Sequence, residues 1–314
     1  MAKSLMYIRN MKIYFFGTPG FAIPSLSMLF NSTDFLIQAV VTQPDKPGNR
    51  RVLTPPPIKL SALKLGLKVL QPEKIDKELI EKIKKDAPDA IIVIAYGGLI
   101  PKEVLEIPKY GCINVHPSLL PKYRGASPIQ EALLNGDKET GISIMKVDEK
   151  LDHGPVYLVK RIEIEDKDTF ETLSGKLAIA AALLLLLALK DIEEGNLPQI
   201  PQPDSKATFC RKIAKEDGLI DWERSSKEIL NQIRALNPWP STYTSLQGKT
   251  LKILEAVVRP STKKGKPGST EILDKNTFGF HTKDSLIVPT LVQLEGKPQV
   301  TAKEFLNGYK SSLS

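Results

Sequence analysis

Residues 111–128 read GCINVHPSLLPKYRGASP, and the rest of the fold can be worked out from this stretch. Its first half, Cys112 to His116, is a short apolar run between Gly111 and Pro117, which is typical of a buried strand. Two prolines and a glycine then predict an irregular loop directly after that strand. Since ligands in open α/β sheets bind beyond the carboxyl ends of strands, the loop marks a candidate site.

Apolar strand patterns alternate with helical patterns on the amino-terminal side of this stretch, which predicts an α/β fold with a doubly wound, mostly parallel sheet. Strands are expected at Lys12 to Gly17, Ile37 to Thr42, Lys68 to Gln71, Ala90 to Ala95 and Cys112 to His116. The turn Gly17-Thr-Pro-Gly20 follows the first strand, but its glycine spacing is wrong for a dinucleotide fingerprint. No acidic residue is placed about 20 residues further on, so nicotinamide binding is not expected.

Four segments are predicted along the chain. Residues 1–10 form an extension without assigned function, 11–194 the first domain, 195–206 a proline-rich, semi-rigid linker and 207–314 a second domain. The first domain ends in a helix from Thr169 to about Glu194. The second has an amphipathic helix and then short β-like runs, which suggest a small β-barrel. These elements are expected at Ser226 to Leu236, Thr250 to Val258, Thr270 to Leu273, Thr277 to His281 and Ser285 to Gln293.

Composition narrows the class of protein. The formal charge of +8 and the pI of about 9.2 favour a polyanionic partner without proving one. The two cysteines, Cys112 and Cys210, give neither a disulfide framework nor metal-ligand spacing, so a reducing cytosol is expected. The longest apolar run, Leu177 to Leu189, is too short to span a bilayer and predicts a buried helix. No signal peptide is recognised at the amino terminus.

Asn114 and His116 lie two apart on the predicted strand, so their side chains project to one face. An amide N–H can stabilise the oxyanion that forms when an amine attacks a carbonyl, an effect worth roughly 100- to 1,000-fold in rate. An imidazole can take up the proton that the amine sheds, and a carboxylate such as Asp152 can orient the ring. This set suits acyl transfer to an amine, although a strand-end histidine can also be a packing residue.

These residues, together with Ile94 to Gly97 and Leu151 to Gly154, resemble the folate-dependent formyltransferase family, whose members move formyl from 10-formyltetrahydrofolate to an amine. The resemblance implies that Asn114, His116 and Asp152 are catalytic. It also implies that 10-formyltetrahydrofolate is the cosubstrate, that no metal is needed, and that the folate lies against Ser118, Leu119, Leu120 and Pro121.

The second half of the chain resembles the tRNA-specific members of that family. Ile220-Asp-Trp222 and Asn237-Pro-Trp-Pro240 are similar to their carboxyl-terminal domain, which is like an oligonucleotide-binding (OB) barrel. The resemblance implies formylation of initiator methionyl-tRNA for translation initiation. We expect a monomeric, cytoplasmic enzyme that is not attached to a membrane.

The segment 42–57, TQPDKPGNRRVLTPPP, is long, basic and rich in proline, so it must lie on the surface. In tRNA-specific members a similar loop reaches the acceptor stem through an arginine, which best matches Arg50. Arg51 and Lys46 are further candidates for tRNA binding. The choice between Arg50 and Arg51 stays open, because the family usually has a Pro-Ala-Gly-Arg type of sequence where this chain has Lys-Pro-Gly-Asn-Arg.

Several alternatives remain open. Sugar-amine formyltransferases share the catalytic core but lack the basic insertion, so formylation of an amino sugar nucleotide is the alternative with the same chemistry. A non-catalytic RNA-binding protein and a hydrolase of the formyl donor fit less well. His153 and Pro155 stand where the family usually has Thr and an acidic residue. A metal site of His153 with His116 and Asp152 is not expected, since neighbours in an extended segment point to opposite faces.

Overall fold

The computed structural model describes residues 10–47, 53–261 and 263–313. The chain divides into two compact units that are each built from several segments. The first unit consists of Met1–Gly125, Gly141–Ile162 and Ser174–Phe209, and the second of Ala126–Thr140, Glu163–Leu173 and Cys210–Ser314. Residues 195–206, predicted as a linker, therefore lie within a segment of the first unit.

The strands up to residue 163 are β1 Met11–Gly17, β2 Phe35–Val41, β3 Lys46–Pro47, β4 Leu53–Thr54, β5 Val69–Leu70, β6 Ala90–Ile94, β7 Cys112–His116, β8 Arg124–Gly125, β9 Glu139–Lys146 and β10 Val156–Glu163. Seven of them form one sheet in the order β10-β9-β7-β6-β1-β2-β5. The pairs β1–β2, β1–β6, β2–β5 and β6–β7 are parallel, and β7–β9 is antiparallel. The predicted doubly wound, mostly parallel sheet is thus confirmed. Strand β7 ends with His116 at the carboxyl edge of this sheet.

The helices of this part of the chain are α1 Ile23–Asn31, α2 Pro57–Lys64, α3 Lys77–Asp86, α4 Lys102–Leu105, α5 Pro128–Leu134 and α6 Phe170–Glu194. Local sequence explains where α3 begins and ends. The carboxylate of Asp76 accepts a hydrogen bond from the Leu79 amide at 3.0 Å, and Ala87 leaves the helix with φ of 43°. The apolar face of α3, Leu79 and Ile83, packs into a core that also contains Tyr14, Phe16, Ala39, Val41, Ile91, Tyr96, Val104 and Cys112.

Two strands of this sheet, β9 and β10, were not predicted. In β9 the apolar alternation is interrupted by Gly141, which lowers its resemblance to a strand. The structure shows why a glycine stands there, because a Cβ atom would lie 2.2 Å from the Lys160 carbonyl oxygen of β10. The neighbouring backbone therefore approaches too closely for any side chain.

Helix α6 confirms the predicted helix, but it is buried on one face only. Leu177, Ala181 and Leu185 are buried, whereas Ile179 and Leu183 are more than half exposed. The run Leu177 to Leu189, predicted to be too short for a bilayer, extends into a helix of 25 residues that could cross a membrane by length and composition. In the structure 44% of its most apolar 18-residue window is buried. Core helices of soluble proteins meet the same criteria, so these properties assign no membrane contact.

The later elements are β11 Phe209–Cys210, α7 Ser226–Leu236, β12 Thr242–Leu246, β13 Lys249–Arg259, β14 Thr270–Ile272, β15 Phe278–His281, β16 Leu286–Leu294, β17 Gln299–Thr301 and α8 Ala302–Tyr309. Six of these strands form an antiparallel sheet in the order β12-β13-β16-β15-β14, with β17 beside β16. Register shifts on either side of Glu255 bend β13. The sheet curls into an OB-like half-barrel, which confirms the predicted second fold.

Candidate active site

The side chains of Asn114, His116 and Asp152 lie together beside the carboxyl end of β7. Asn114 Nδ2 donates to Asp152 Oδ1 at 3.3 Å, and His116 Nδ1 lies 3.7 Å from Asp152 Oδ2. The Gly125 amide donates to the same Oδ2 at 2.9 Å. His116 is buried and Asp152 is partly exposed. The structure therefore brings Asn114 and His116 together at the carboxylate of Asp152.

The ring of His116 is oriented by a backbone group that the sequence did not reveal. Its Nε2 lies 2.9 Å from the Tyr123 carbonyl oxygen, so Nε2 must carry a proton and donate it. The distance from Nδ1 to Asp152 is too long for a hydrogen bond. In this structure the hydrogen bond that orients the ring goes to the Tyr123 carbonyl, and Nδ1 is the nitrogen that faces the Asp152 carboxylate.

Asp152 sits in a turn of unusual backbone conformation. Its φ of 46° is left-handed, which costs an L residue on the order of 1 kcal/mol. Gly154, two residues later, is also dictated by the backbone, because a Cβ there would lie 1.9 Å from the Lys146 carbonyl oxygen. The Leu-Asp-x-Gly motif therefore encodes a turn that packs tightly against the end of β9.

The loop Ser118 to Pro121 is fixed by its own polar contacts. Ser118 is fully buried, and its hydroxyl donates to the Lys122 carbonyl at 2.5 Å. Ser143 Oγ links the loop to β9, since it donates to Ser118 O at 2.7 Å and accepts from the Leu120 amide at 3.1 Å. Leu119, Leu120 and Pro121 are half-buried and remain partly accessible. These three give the loop an apolar surface, whereas Ser118 is turned inward.

Two further side chains lie next to this site, and sequence reasoning did not single them out. Gln202 Nε2 donates to the carbonyl oxygens of Asp152 at 2.9 Å and Gly154 at 2.7 Å. Its Oε1 accepts from Arg124 Nε at 3.0 Å, and Arg124 Nη1 donates to Asp204 at 2.9 Å. That contact lowers the pKa of the Asp204 carboxyl. Gln202 was overlooked because its segment is proline-rich and resembles a linker.

The ring of His153 contacts two other carboxylates, those of Asp148 and Asp204. Its Nδ1 lies 2.6 Å from Asp148 and its Nε2 lies 3.6 Å from Asp204. Within the described ranges there is no group of three or more His, Cys, Asp or Glu side chains that could hold a metal ion. Burial raises the pKa of the Cys112 thiol to about 12, so this cysteine of β7 is a packing residue rather than a nucleophile.

The residues proposed for tRNA binding are described only in part. Lys46 lies in β3 and is exposed. Arg50 and Arg51 lie outside the described residues.

The motifs Ile220-Asp-Trp222 and Asn237-Pro-Trp-Pro240 both lie in the second unit, where their side chains make packing and hydrogen-bond contacts. Trp222 stacks on Phe280 with 4.7 Å between ring centroids, and its indole N–H donates to Thr244 at 3.1 Å. Asn237 Nδ2 donates to the Ile233 carbonyl at 2.7 Å, at the end of α7. Trp239, in contrast, is 58% exposed.

A family model described as formyl transferase matches residues 11–189, and a second, described as formyl transferase, C-terminal domain, matches residues 212–310. The chain belongs to this formyltransferase family. Formyltransferases of the family use 10-formyltetrahydrofolate as their cosubstrate.

Curated relatives and solved structures agree with this assignment. Proteins named methionyl-tRNA formyltransferase from Caldicellulosiruptor saccharolyticus and Listeria monocytogenes are each 46% identical to the chain, with 96% of the chain and 97% of each relative covered. An N-formyltransferase from Helicobacter canadensis, solved with folinic acid and dTDP-3-aminofucose, has a TM-score of 0.64 at 18% identity. That alignment covers 90% of this chain and 98% of the other, and it shows similarity of fold alone.

Proposed function

We propose that this chain transfers the formyl group of 10-formyltetrahydrofolate to the α-amino group of initiator methionyl-tRNA. The observation that carries the proposal is that relatives at 46% identity, matched over nearly their whole length, are named methionyl-tRNA formyltransferase. The grouping of Asn114, His116 and Asp152 supports it with suitable chemistry. The product N-formylmethionyl-tRNA then serves translation initiation.

Asn114 stabilises the oxyanion. When the amine nitrogen bonds to the formyl carbon, the electron pair of the C=O bond moves to oxygen. The Asn114 amide has two N–H groups, and its contact with Asp152 uses only one of them. The other can donate to the formyl oxygen as negative charge develops there.

His116 takes up the proton that the attacking amine must lose. Its Nε2 proton is held by the Tyr123 carbonyl, so Nδ1 is the nitrogen that accepts. The ring then becomes a cation 3.7 Å from the Asp152 carboxylate, which stabilises it. Collapse of the oxyanion breaks the bond between the formyl carbon and the folate nitrogen. The imidazolium of His116 gives its proton to that nitrogen, which restores the neutral ring, and tetrahydrofolate leaves.

The donor is proposed to lie against the loop from Ser118 to Pro121. The half-buried apolar side chains of Leu119, Leu120 and Pro121 suit the flat ring system of a folate. The buried Ser118 hydroxyl is engaged by Lys122, so its proposed part is to shape the loop.

The acceptor stem of the tRNA is proposed to contact Arg50, Arg51 and Lys46. Another part of the tRNA is proposed to contact residues 207–314. The formal charge of +8 supports a polyanionic partner.

The proposed domain boundaries are 11–194 and 207–314, with a linker at 195–206. They are supported by family matches that end at residue 189 and resume at residue 212. We further propose a cytoplasmic monomer without membrane attachment, in keeping with two buried cysteines that are not joined in a disulfide.

The test is incorporation of radiolabelled formyl from 10-formyltetrahydrofolate into alternative acceptors. Methionylated initiator tRNA and an amino sugar nucleotide are supplied to the purified protein in parallel, and released formate is measured. We expect label in the tRNA only. Label in the sugar nucleotide would favour the sugar-amine alternative, and label in formate alone would indicate hydrolysis.

A further inference from the structure

Gln202 contacts the turn that carries Asp152 although 50 positions separate the two residues along the chain. One amide nitrogen bridges two backbone carbonyls of that turn, those of Asp152 and Gly154. We infer that Gln202 is a positioning residue for formyl transfer: it holds the turn so that the Asp152 carboxylate faces Asn114 and His116. This inference rests on the proposed function.

The turn needs such support because its conformation is strained. Asp152 has φ of 46°, and the direction of its carboxylate follows from that backbone angle. From this left-handed backbone the carboxylate accepts hydrogen bonds from Asn114 and from the Gly125 amide. Strained residues persist where surrounding contacts over-determine them. The two hydrogen bonds from Gln202 fix the carbonyls at Asp152 and Gly154.

The orientation of the Gln202 amide is itself fixed by Arg124. A guanidinium only donates hydrogen bonds, so the atom of Gln202 that faces Arg124 Nε at 3.0 Å must be the oxygen. The NH₂ group is then necessarily the end that faces the turn. Arg124 is buried and is anchored by Asp204, so the contacts run from Asp204 through Arg124 and Gln202 to the turn.

The substitution Gln202→Glu separates positioning from folding. A glutamate keeps an oxygen for Arg124 and adds an ion pair, but it loses both N–H donors and repels the two carbonyls. We expect kcat for formylation of initiator methionyl-tRNA to fall about 10- to 100-fold, as misplacement of catalytic groups by about 1 Å does. The KM for each substrate and the thermal midpoint should stay close to those of the wild type. The matched control is Gln199→Glu, an exposed position of the same segment, which should leave kcat unchanged.

A double variant tests whether Gln202 acts through Asp152. With Asp152→Asn the carboxylate to be positioned is gone, so adding Gln202→Glu should cost little further activity in single-turnover assays. A general structural role would instead lower the rate equally in both backgrounds. If Gln202→Glu does not fold, Gln202→Asn serves in its place, because the shorter amide cannot reach both Arg124 and the turn.

Non-additive losses in this double variant, with kcat reduced in Gln202→Glu alone, support the inference. It is overturned if Gln202→Glu retains wild-type kcat, or if the losses simply add. Both results presuppose an active wild-type protein and leave the proposed function standing. Absence of formyl transfer by the wild-type protein would overturn the proposed function, and the inference with it.

Discussion

Asp152 is the residue on which the proposed chemistry depends most, because its carboxylate lies between the two other predicted catalytic side chains, Asn114 and His116. It accepts from Asn114 and from the Gly125 amide, and it lies across from His116 Nδ1. Since the histidine becomes a cation only as it takes up the amine proton, the carboxylate acts more strongly on the transition state than on the ground state.

The substitution Asp152→Asn should therefore lower kcat by about 100-fold or more, the usual range for loss of acid–base assistance. An asparagine can still accept from the Gly125 amide, so the turn should persist and folate binding should be retained. Steady-state formylation and equilibrium titration of the folate check the two parts. Weak folate binding with unchanged kcat would place Asp152 in the folate site rather than in catalysis.

The substitution His153→Thr should leave kcat within about twofold of the wild type, because threonine is the residue that the formyltransferase family usually has at this position. Its ring contacts the carboxylates of Asp148 and Asp204. The same change can be assayed with and without added zinc. Complete loss of activity, or recovery by zinc, would contradict the assignment and restore the metal hypothesis.

The site could be predicted from sequence only where it is local. Asn114 and His116 share a strand, so their common face follows from a period of two. Tyr123 acts through a carbonyl, and Gln202 reaches Asp152 across 50 positions, so neither leaves a local pattern. The resemblance to a family supplied Asp152, which spacing alone would have left among many surface carboxylates.

Helix α7 shows how one local motif stabilises an element of the second unit. Ser225 Oγ accepts from the Glu228 amide at 3.3 Å, and Glu228 Oε2 accepts from the Ser225 amide at 3.0 Å and from its hydroxyl at 2.6 Å. Arg224 also donates to Glu228 at 3.1 Å. These contacts, with the Ser225 hydroxyl first, lower the pKa of Glu228 from 4.5 to about 2.

The pKa of Glu228 predicts a pH-dependent contribution to stability. Because it is lower in the folded protein, the contribution is fully present above pH 4.5 and is lost as the pH falls towards about 2. Glu228→Gln should therefore lower the free energy of unfolding at pH 7, and the deficit should shrink at pH 3. Urea unfolding at both pH values checks this, with the exposed Glu223→Gln as control. An equal deficit at both pH values would show that the cap does not depend on charge.

We propose that the basic segment 42–57 is the element that separates tRNA-specific formyltransferases from sugar-amine formyltransferases. Arg50→Leu should strongly lower the rate of methionyl-tRNA formylation without changing folate affinity, since planar guanidinium groups suit phosphate contacts. Arg51→Leu should do less. Exposed Arg161 in β10 provides a matched Arg→Leu control. A larger effect of Arg51→Leu would identify Arg51 as the main tRNA contact of the segment. If neither substitution changed the rate of tRNA formylation, the segment would have no part in binding tRNA.

Elements were predictable where an apolar run is bounded by turn residues. Strand β7 and helix α7 have the predicted bounds, Cys112–His116 and Ser226–Leu236. Strand β9 was missed because Gly141 interrupts its apolar pattern. That glycine is required by the close approach of the Lys160 backbone in β10, which lies more than ten residues further along the chain. Short strands such as β12 and β17 depend on the sheet that they join rather than on their own composition.

At the scale of the whole molecule, the excess of basic residues should make tRNA binding sensitive to salt. Each phosphate neutralised by the protein releases counterions, so affinity should fall by about tenfold or more when salt rises from roughly 50 to 200 mM. Fluorescence anisotropy of labelled initiator tRNA measures this, and the thermal midpoint at both salt concentrations controls for unfolding. A constant affinity would mean that the charge of +8 has no part in binding.

The most direct test of the central claim is the single-turnover rate of formyl transfer to methionylated initiator tRNA, compared between the wild-type protein and His116→Ala with both saturated by 10-formyltetrahydrofolate. If His116 accepts the proton of the attacking amine, the wild type should transfer the label to tRNA and His116→Ala should be slower by about 100-fold or more. A His116→Ala rate close to that of the wild type would contradict the assigned chemistry.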